Sequence, residues 1–419
     1  MKKKLTALAL TGALSLSLAL SGCGGTPTAS ADLTAGINGS GASAVYDSAQ
    51  EVPASDVAAM TDFGLKLLKQ CAGEENVLLS PASILSALGM TANGAKGETL
   101  AQFETAFGLP MEALNAALSA VLPEDDGVFS RANAIWFNAR NGLALDHDFL
   151  QTNADWYGAG LYSAPFDSGT CDEINRWVSD HTKGMIPKIL DQVPEDALMY
   201  LVNALAFDGE WTSPYTAEDT WSGTFTREDG TAQQVDFMHG EEYAYLDGEK
   251  VTGFIKSYTG GKYAFAALLP DRGVTVEEAL DSLTGESLTD LLRNVYGEEV
   301  VTALPKFTSD YDVGLEQVLP DLGITDAFDA GLADFSGMGT TEDGGPNLFI
   351  SRVLHKTHIE VDELGTKAAA ATVVEMTEGA AAELEPPKEV ILDRPFIYMI
   401  YDQDSDLPLF LGTAMSIET

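Results

Sequence analysis

Five histidines, three cysteines and 64 Asp and Glu residues are the groups in this chain that could bind metal, attack a substrate or move a proton. Their spacing builds no site for any of these. His355 and His358 are the one close histidine pair. Three residues apart, they point to opposite faces of a strand and cannot share an ion. No HExxH, CxxC, phosphate loop or GxSxG occurs. So many carboxylates guarantee accidental pairs, and no acid/base couple stands out. The chain advertises no active site, and no metal or cofactor is expected.

Two other features carry chemistry. Lys2, Lys3 and Lys4 precede an apolar stretch from Leu5 to Leu20, which ends in Leu20-Ser21-Gly22-Cys23. A basic start, a short apolar run and small residues before a cut site make an export signal rather than a spanning helix. The ending resembles the bacterial lipoprotein signal. That resemblance implies that residues 1–22 are removed, that Cys23 takes the lipid, and that the protein is exported and anchored on the outer side of a bacterial cell membrane. The alternative is an ordinary signal peptide with a chance cysteine. Residues 23–53, rich in Ser, Thr, Ala and Gly, read as a flexible tether. Thirty such residues span about 30 Å as coil.

The second feature is Gly365 to Met376, GTKAAAATVVEM. Its four alanines favour helix, whereas Thr372, Val373 and Val374 favour strand. Parity separates the two. Thr366, Ala368, Ala370, Thr372, Val374 and Met376 share one face of an extended chain and carry no charge. Lys367 and Glu375 fall on the other face, with Ala369, Ala371, Val373 and Thr377. Such alternation marks a strand buried on one side. Yet Thr377 to Pro387 is loose and polar, as an exposed loop is. A segment that can be loop or strand is a candidate switch.

The body that must position this switch runs from Ala54 to Thr419. Apolar residues are 45% and charged residues 21%, enough for a core. Helical spacing predicts helices over Asp56–Cys71, over Pro81–Gly94 behind Ser80, and over Asp172–His181. Dense apolar runs predict strands at Asn133–Asn138, Leu198–Phe207, Tyr263–Leu269 and Ile397–Tyr401. Helices and strands without a regular βαβ period indicate the α+β class. The formal charge of −41 argues against nucleic acid and heparin-like partners, which need basic patches. Removing the signal and its three lysines takes that charge to −44. Cys71 and Cys171 are expected to be unpaired, buried thiols.

These pieces together resemble a serpin. Asn76 to Ser83 followed by Gly94 to Thr99, then Asn133-Ala134-Ile135-Trp136, match early family signatures. Ile174 to Val178, Thr182 to Ile186, Val202 to Phe207 and Gly209-Glu210-Trp211 follow in family order. Leu304-Pro305-Lys306-Phe307, Leu322 to Phe328, His355-Lys356, Glu363-Leu364-Gly365-Thr366 and Arg394-Pro395-Phe396 complete the series. The resemblance implies a fold with a large central β-sheet, further sheets, surrounding helices and an exposed reactive loop at about 363–392. It implies a monomer that is no enzyme, but inhibits serine proteases as a suicide substrate. A protease acylates itself on the loop, which then inserts as a new strand into the main sheet and drags the protease along.

Residue roles follow from the same resemblance. Glu363, Gly365, Thr366, Ala368, Ala369, Ala370, Ala371 and Thr372 form the hinge. Ser80, Ser83, Asn203 and His355 form a polar latch where the sheet opens, and Trp211 closes its top. Family members usually carry glutamate where this chain has Leu364 and Lys367. Counting from Gly365 puts the cut after Gly379, whereas counting back from Pro395 puts it after Glu383 or Leu384. Each added residue is about 3.3 Å of slack in an inserted strand, so the short count is adopted, with the bond at Gly379, Ala380 or Ala381. Small residues there suit elastase-like or subtilisin-like proteases. The alternative is a non-inhibitory serpin, acting as plain substrate or binding scaffold.

Overall fold

The structure, a computed structural model, describes residues 30–37, 52–122, 126–194, 197–295, 297–341, 347–366 and 387–418. A short strand β1 (Ala31–Asp32) precedes α1 (Ala54–Cys71), β2 (Val77–Leu79), α2 (Pro81–Ala92), α3 (Gly97–Phe107) and α4 (Met111–Val121). Then come β3 (Phe129–Asn138), β4 (Leu143–Leu145), α5 (His147–Tyr157), β5 (Gly160–Ala164), α6 (Ser168–His181), β6 (Met199–Phe207) and β7 (Gly209–Glu210). A strand-rich stretch follows: β8 (Thr220–Thr226), β9 (Ala232–Glu242), β10 (Tyr245–Asp247), β11 (Val251–Ser257) and β12 (Tyr263–Pro270). Helices α7 (Val276–Ser282) and α8 (Gly285–Arg293) lead to β13 (Val300–Pro305), β14 (Phe307–Gly314) and β15 (Gly339–Thr341). The chain ends with β16 (Arg352–Val361), β17 (Gly365–Thr366), β18 (Lys388–Ile391), β19 (Phe396–Asp402) and β20 (Leu407–Ala414).

The three helices and four strands predicted in the body are present, with ends shifted by a few residues. Ser80 caps α2 as expected, its side chain accepting from Ser83 N, with Pro81 in the first turn. The central sheet runs β5-β3-β6-β16-β14 across its principal strands, with β1, β17 and β7 as short additions. It is covered on both faces. Alternate residues Leu201, Leu205 and Phe207 of β6 join the main core, which includes α2 and the sheet β10-β11-β12-β19-β20-β2. The intervening Tyr200, Val202 and Ala204 join a second core beneath α6, with Ile174 and Val178. Burial on both faces explains the near-continuous apolar run in β6, which Asn203 alone interrupts. A third sheet, β18-β13-β9-β8, completes the mixed α+β architecture.

Three expectations are corrected. Residues 30–37, read as part of a free tether, are docked on the body. Ala31 and Asp32 pair with Ser163 and Tyr162 of β5, Leu33 N donates to Leu161 O at 2.8 Å, and Ser30 Oγ donates to Glu173 of α6 at 2.6 Å. The outer edge of β5 offers unpaired backbone groups, and this segment satisfies them. The span 363–392 is not loop throughout, since Gly365–Thr366 and Lys388–Ile391 are strands. Cys71 and Cys171 are both free, but only Cys171 is fully buried, while Cys71 is partly exposed. Cys23, Ala368 to Thr372, and Gly379 to Ala381 lie outside the described residues.

Candidate functional site

The site is a sheet half-open at one end. Strands β6 and β16 run parallel and share a ladder from Arg352↔Tyr200 to Thr357↔Leu205. Above that point the ladder ends, and the pair Gly365–Thr366 takes its place. Thr366 pairs with Val361 of β16 on one side and Gly209 on the other, and Gly365 pairs with Glu210. Both pairings are antiparallel. The turn that reverses the chain is held by Asp362, whose N donates to Gly365 O at 3.0 Å. Its carboxylate accepts from Leu364 N at 2.8 Å and Gly365 N at 3.1 Å. Gly365 is required by close approach: a Cβ there would stand 2.1 Å from Gly209 O.

Thr366 is fully buried, with a 2.6 Å hydrogen bond between its hydroxyl and that of Tyr258. Its assignment to the inward face holds, but it is seated in the sheet before any cut. Trp211 lies against this position. Its indole stacks on Tyr258 at 4.4 Å, its Nε1 donates to Asp362 O at 3.0 Å and its backbone N to Leu364 O at 2.9 Å. Glu363 pairs with Lys306 at 2.8 Å. Burial opposes the Glu363 charge, but the Lys306 ammonium and backbone donors outweigh it and hold the carboxyl below its usual range. Lys306 is correspondingly raised by its bond to Glu363.

Lower down, hydrogen bonds join His355, Ser80 and Ser83. His355 is fully buried and its Nε2 accepts from Ser80 N at 3.1 Å, which puts the proton of the neutral ring on Nδ1. Burial pushes the His355 pKa down to about 3. Ser80 Oγ donates to Leu409 O at 2.7 Å while accepting from Ser83 N at 3.4 Å. Asn203 and Asn133 stand in register beside His355 across the sheet. His358, by contrast, faces outward to Asp310 at 2.9 Å, so the two histidines do lie on opposite faces. No group of three or more metal-ligating side chains occurs among the described residues.

A family model described as Serpin (serine protease inhibitor) matches residues 58–417. The chain belongs to the serpin family. An uncharacterised serpin-like protein of Thermococcus kodakarensis is 33% identical over 385 residues, covering 89% of this chain and 88% of its own. The leukocyte elastase inhibitor of Equus caballus is 33% identical over 360 residues, covering 80% and 92%. Among solved structures, the thermophilic serpin Tengpin in its native state is 40% identical with a TM-score of 0.84, covering 93% of this chain and 100% of that one. Tengpin in its latent state, also 40% identical, gives 0.74 over 86% and 98%. Serpins are protease inhibitors rather than enzymes, and they generally complex with serine proteases.

The sequence reading missed several residues of the serpin's upper site. Tyr258 holds Thr366, and Asp362 forms the turn. Lys256 is buried beneath Trp211 and Tyr215, its Nζ 4.3 Å from the Tyr215 ring centroid and 2.7 Å from Glu242. Burial raises the Glu242 pKa despite that lysine. A lysine inside the apolar run Phe254-Ile255-Lys256 was the available signal. Tyr258 and Asp362 carried none, because they act through contacts distant in sequence.

Proposed function

We propose that this serpin traps serine proteases as a suicide substrate. The observation that supports it is the seating of Gly365–Thr366, antiparallel to both neighbours, above a parallel pair. Each further residue of an inserting strand moves one residue back along both β16 and β6. Lys367 then falls beside Glu360 and Asp208, and Glu375 beside Arg352 and Tyr200. Arg352 and Tyr200 are themselves register partners, so the seed is in phase with both walls over the whole length. Insertion exchanges one parallel ladder for two antiparallel ones, which are slightly more stable per residue.

The side chains suit those berths. Ala368, Ala370, Thr372 and Val374 come beside Ile359, Thr357, His355 and Val353, all buried. Thr372 enters the polar row of Asn203 and His355. On the other face Val373 comes between Val202 and Leu354, both in the core under α6. Lys367 comes beside the exposed Glu360 and Asp208, and Glu375 has the exposed Arg352 on one side and the buried Tyr200 on the other.

In the proposed reaction the protease serine oxygen attacks the Gly379 or Ala380 carbonyl. An ester forms as the peptide bond breaks, and the amine of the next residue leaves while still held to the body through β18. Elastase-like and subtilisin-like proteases are the targets, and Cys23 carries a lipid that anchors the exported protein. Mixing the protein with elastase, subtilisin and trypsin before denaturing electrophoresis tests this. Complexes stable in SDS are expected with the first two. A single nick without complex would leave a substrate or scaffold. Mass spectrometry of the released C-terminal fragment checks the bond; a start at Leu384 or Glu385 would overturn the short count.

A further inference from the structure

Eight arginines serve a chain with 64 acidic residues, and three of the eight line one cavity. Arg227 comes from the β8–β9 turn, Arg272 from the turn after β12, and Arg394 from the segment between β18 and β19. The cavity holds about 290 Å³ and has an apolar wall of Val274, Val276 and Pro395. Its two carboxylates are engaged. Glu228 accepts from Val276 N at 3.0 Å, and Asp393 accepts from Arg394 Nη1 at 2.9 Å. Arg394 Nη2 donates to Pro270 O at 2.7 Å, which fixes that guanidinium. Neither Arg227 nor Arg272 forms an ion pair among the described residues. Asp229, near Arg227, owes its lowered pKa first to hydrogen bonds from Thr231 and least to the arginine.

The three guanidiniums outnumber the two carboxylates of the lining, Glu228 and Asp393, in a chain where acids otherwise predominate. Of the three, only Arg394 is ion-paired among the described residues, so Arg227 and Arg272 leave the cavity with unpaired positive charge. We propose that the cavity binds a small anion, bearing a carboxylate or phosphate and, in the fuller ligand, a short apolar body. Guanidinium forks match either group through paired charge-assisted hydrogen bonds. The volume is close to the lower limit of small-molecule sites, about 300 Å³. The cavity joins three separate turns, and Thr226 N already donates to Asp393 O across it at 2.7 Å. A bound anion therefore ties the segment leaving β18 to the β8–β9 turn.

The strongly negative chain repels anions at long range, so saturable binding reports a local site. The test is calorimetric titration of the full-length protein with benzoate and, separately, inorganic phosphate, at fixed ionic strength. Expected is 1:1 binding of at least one probe, weakened about tenfold or more in the variant R227Q/R272Q and unchanged in R352Q. Both arginines sit on turns with no side-chain hydrogen bond or ion pair among the described residues; matched thermal unfolding verifies folding. Amide hydrogen exchange at Thr226 and Leu392 should slow in the bound state. Benzoate binding without phosphate identifies a carboxylate ligand that uses the apolar wall, and phosphate without benzoate identifies a simple oxyanion. No saturation by either probe up to about 50 mM, or equal affinity in R227Q/R272Q, overturns the proposal.

Discussion

Lys367 stands where serpins usually carry glutamate, and the register of β17 gives that departure a purpose. If the seed extends as proposed, Lys367 comes between Glu360 and Asp208, both exposed acids. Lys367→Glu replaces two attractions with two repulsions. Each cross-strand charge pair contributes about 0.2–1 kcal/mol, and like charges cost a similar amount. Exposure favours the lower end, so the combined swing is about 1 kcal/mol, or about fivefold in rate if the transition state for insertion has formed this row. The trapped and escaped fractions divide by the ratio of insertion to deacylation. The ratio of cleaved free serpin to SDS-stable complex should therefore rise about fivefold over wild type with elastase. At 1 M salt the Debye length is about 3 Å, and the difference should largely vanish. Glu360→Lys added to Lys367→Glu should restore much of the trapping. A ratio unmoved by Lys367→Glu at low salt, or a loss that Glu360→Lys does not relieve, would refute the register.

Thr366→Arg forces a charge into a fully buried berth against Tyr258, a cost of several kcal/mol; loss of the SDS-stable complex with continued cleavage is expected on gels. His355 is held neutral with a pKa near 3, below the ordinary 6.5 of an unfolded chain, so the unfolded state binds the extra proton between these values. Stability should then fall as pH drops from about 6.5 towards 3, by on the order of 4 kcal/mol, and denaturant titrations of His355→Gln should show a flatter profile over that window. Cys23→Ala should abolish lipidation and leave uncut precursor on radiolabelled-palmitate gels, whereas normal processing would mean an ordinary signal peptidase site.

Much of this was legible in sequence because it rests on local pattern. The parity of Thr366 against Lys367 gave the inward face, and Thr366 is indeed fully buried. Ser80-Pro81 announced the start of α2, and the three-residue spacing of His355 and His358 separated their faces. What stayed hidden was pairing between distant segments. Nothing near Gly365 says that Gly209 will lie 2.1 Å from the place of its missing Cβ, or that Tyr258 will meet Thr366. The edge strand Ala31–Asp32 was invisible for the same reason: its composition is that of a tether, and only the open edge of β5 makes it a strand.

The contacts of the two walls also indicate which one must move. β16 is fastened to the layer beneath it: Thr357 Oγ1 donates to Leu78 O at 2.7 Å, and His355 accepts from Ser80 N. Its far side is laddered along its length to β14. β6 belongs instead to a block with β3 and β5, over which α6 packs through Ile174 and Val178. On the proposed mechanism the opening is therefore a slide of β5-β3-β6 with α6, against a fixed β16. Leu354 is the residue of β16 that reaches into the core under α6, so the slide must release it, and Val373 arrives beside it to fill the gap. Among the described residues, the docked N-terminal segment is paired with β5 and hydrogen-bonded to Glu173 of α6, both in the moving block. On this mechanism those pairings ride with the block, and they place no brake across the gap that the loop must enter.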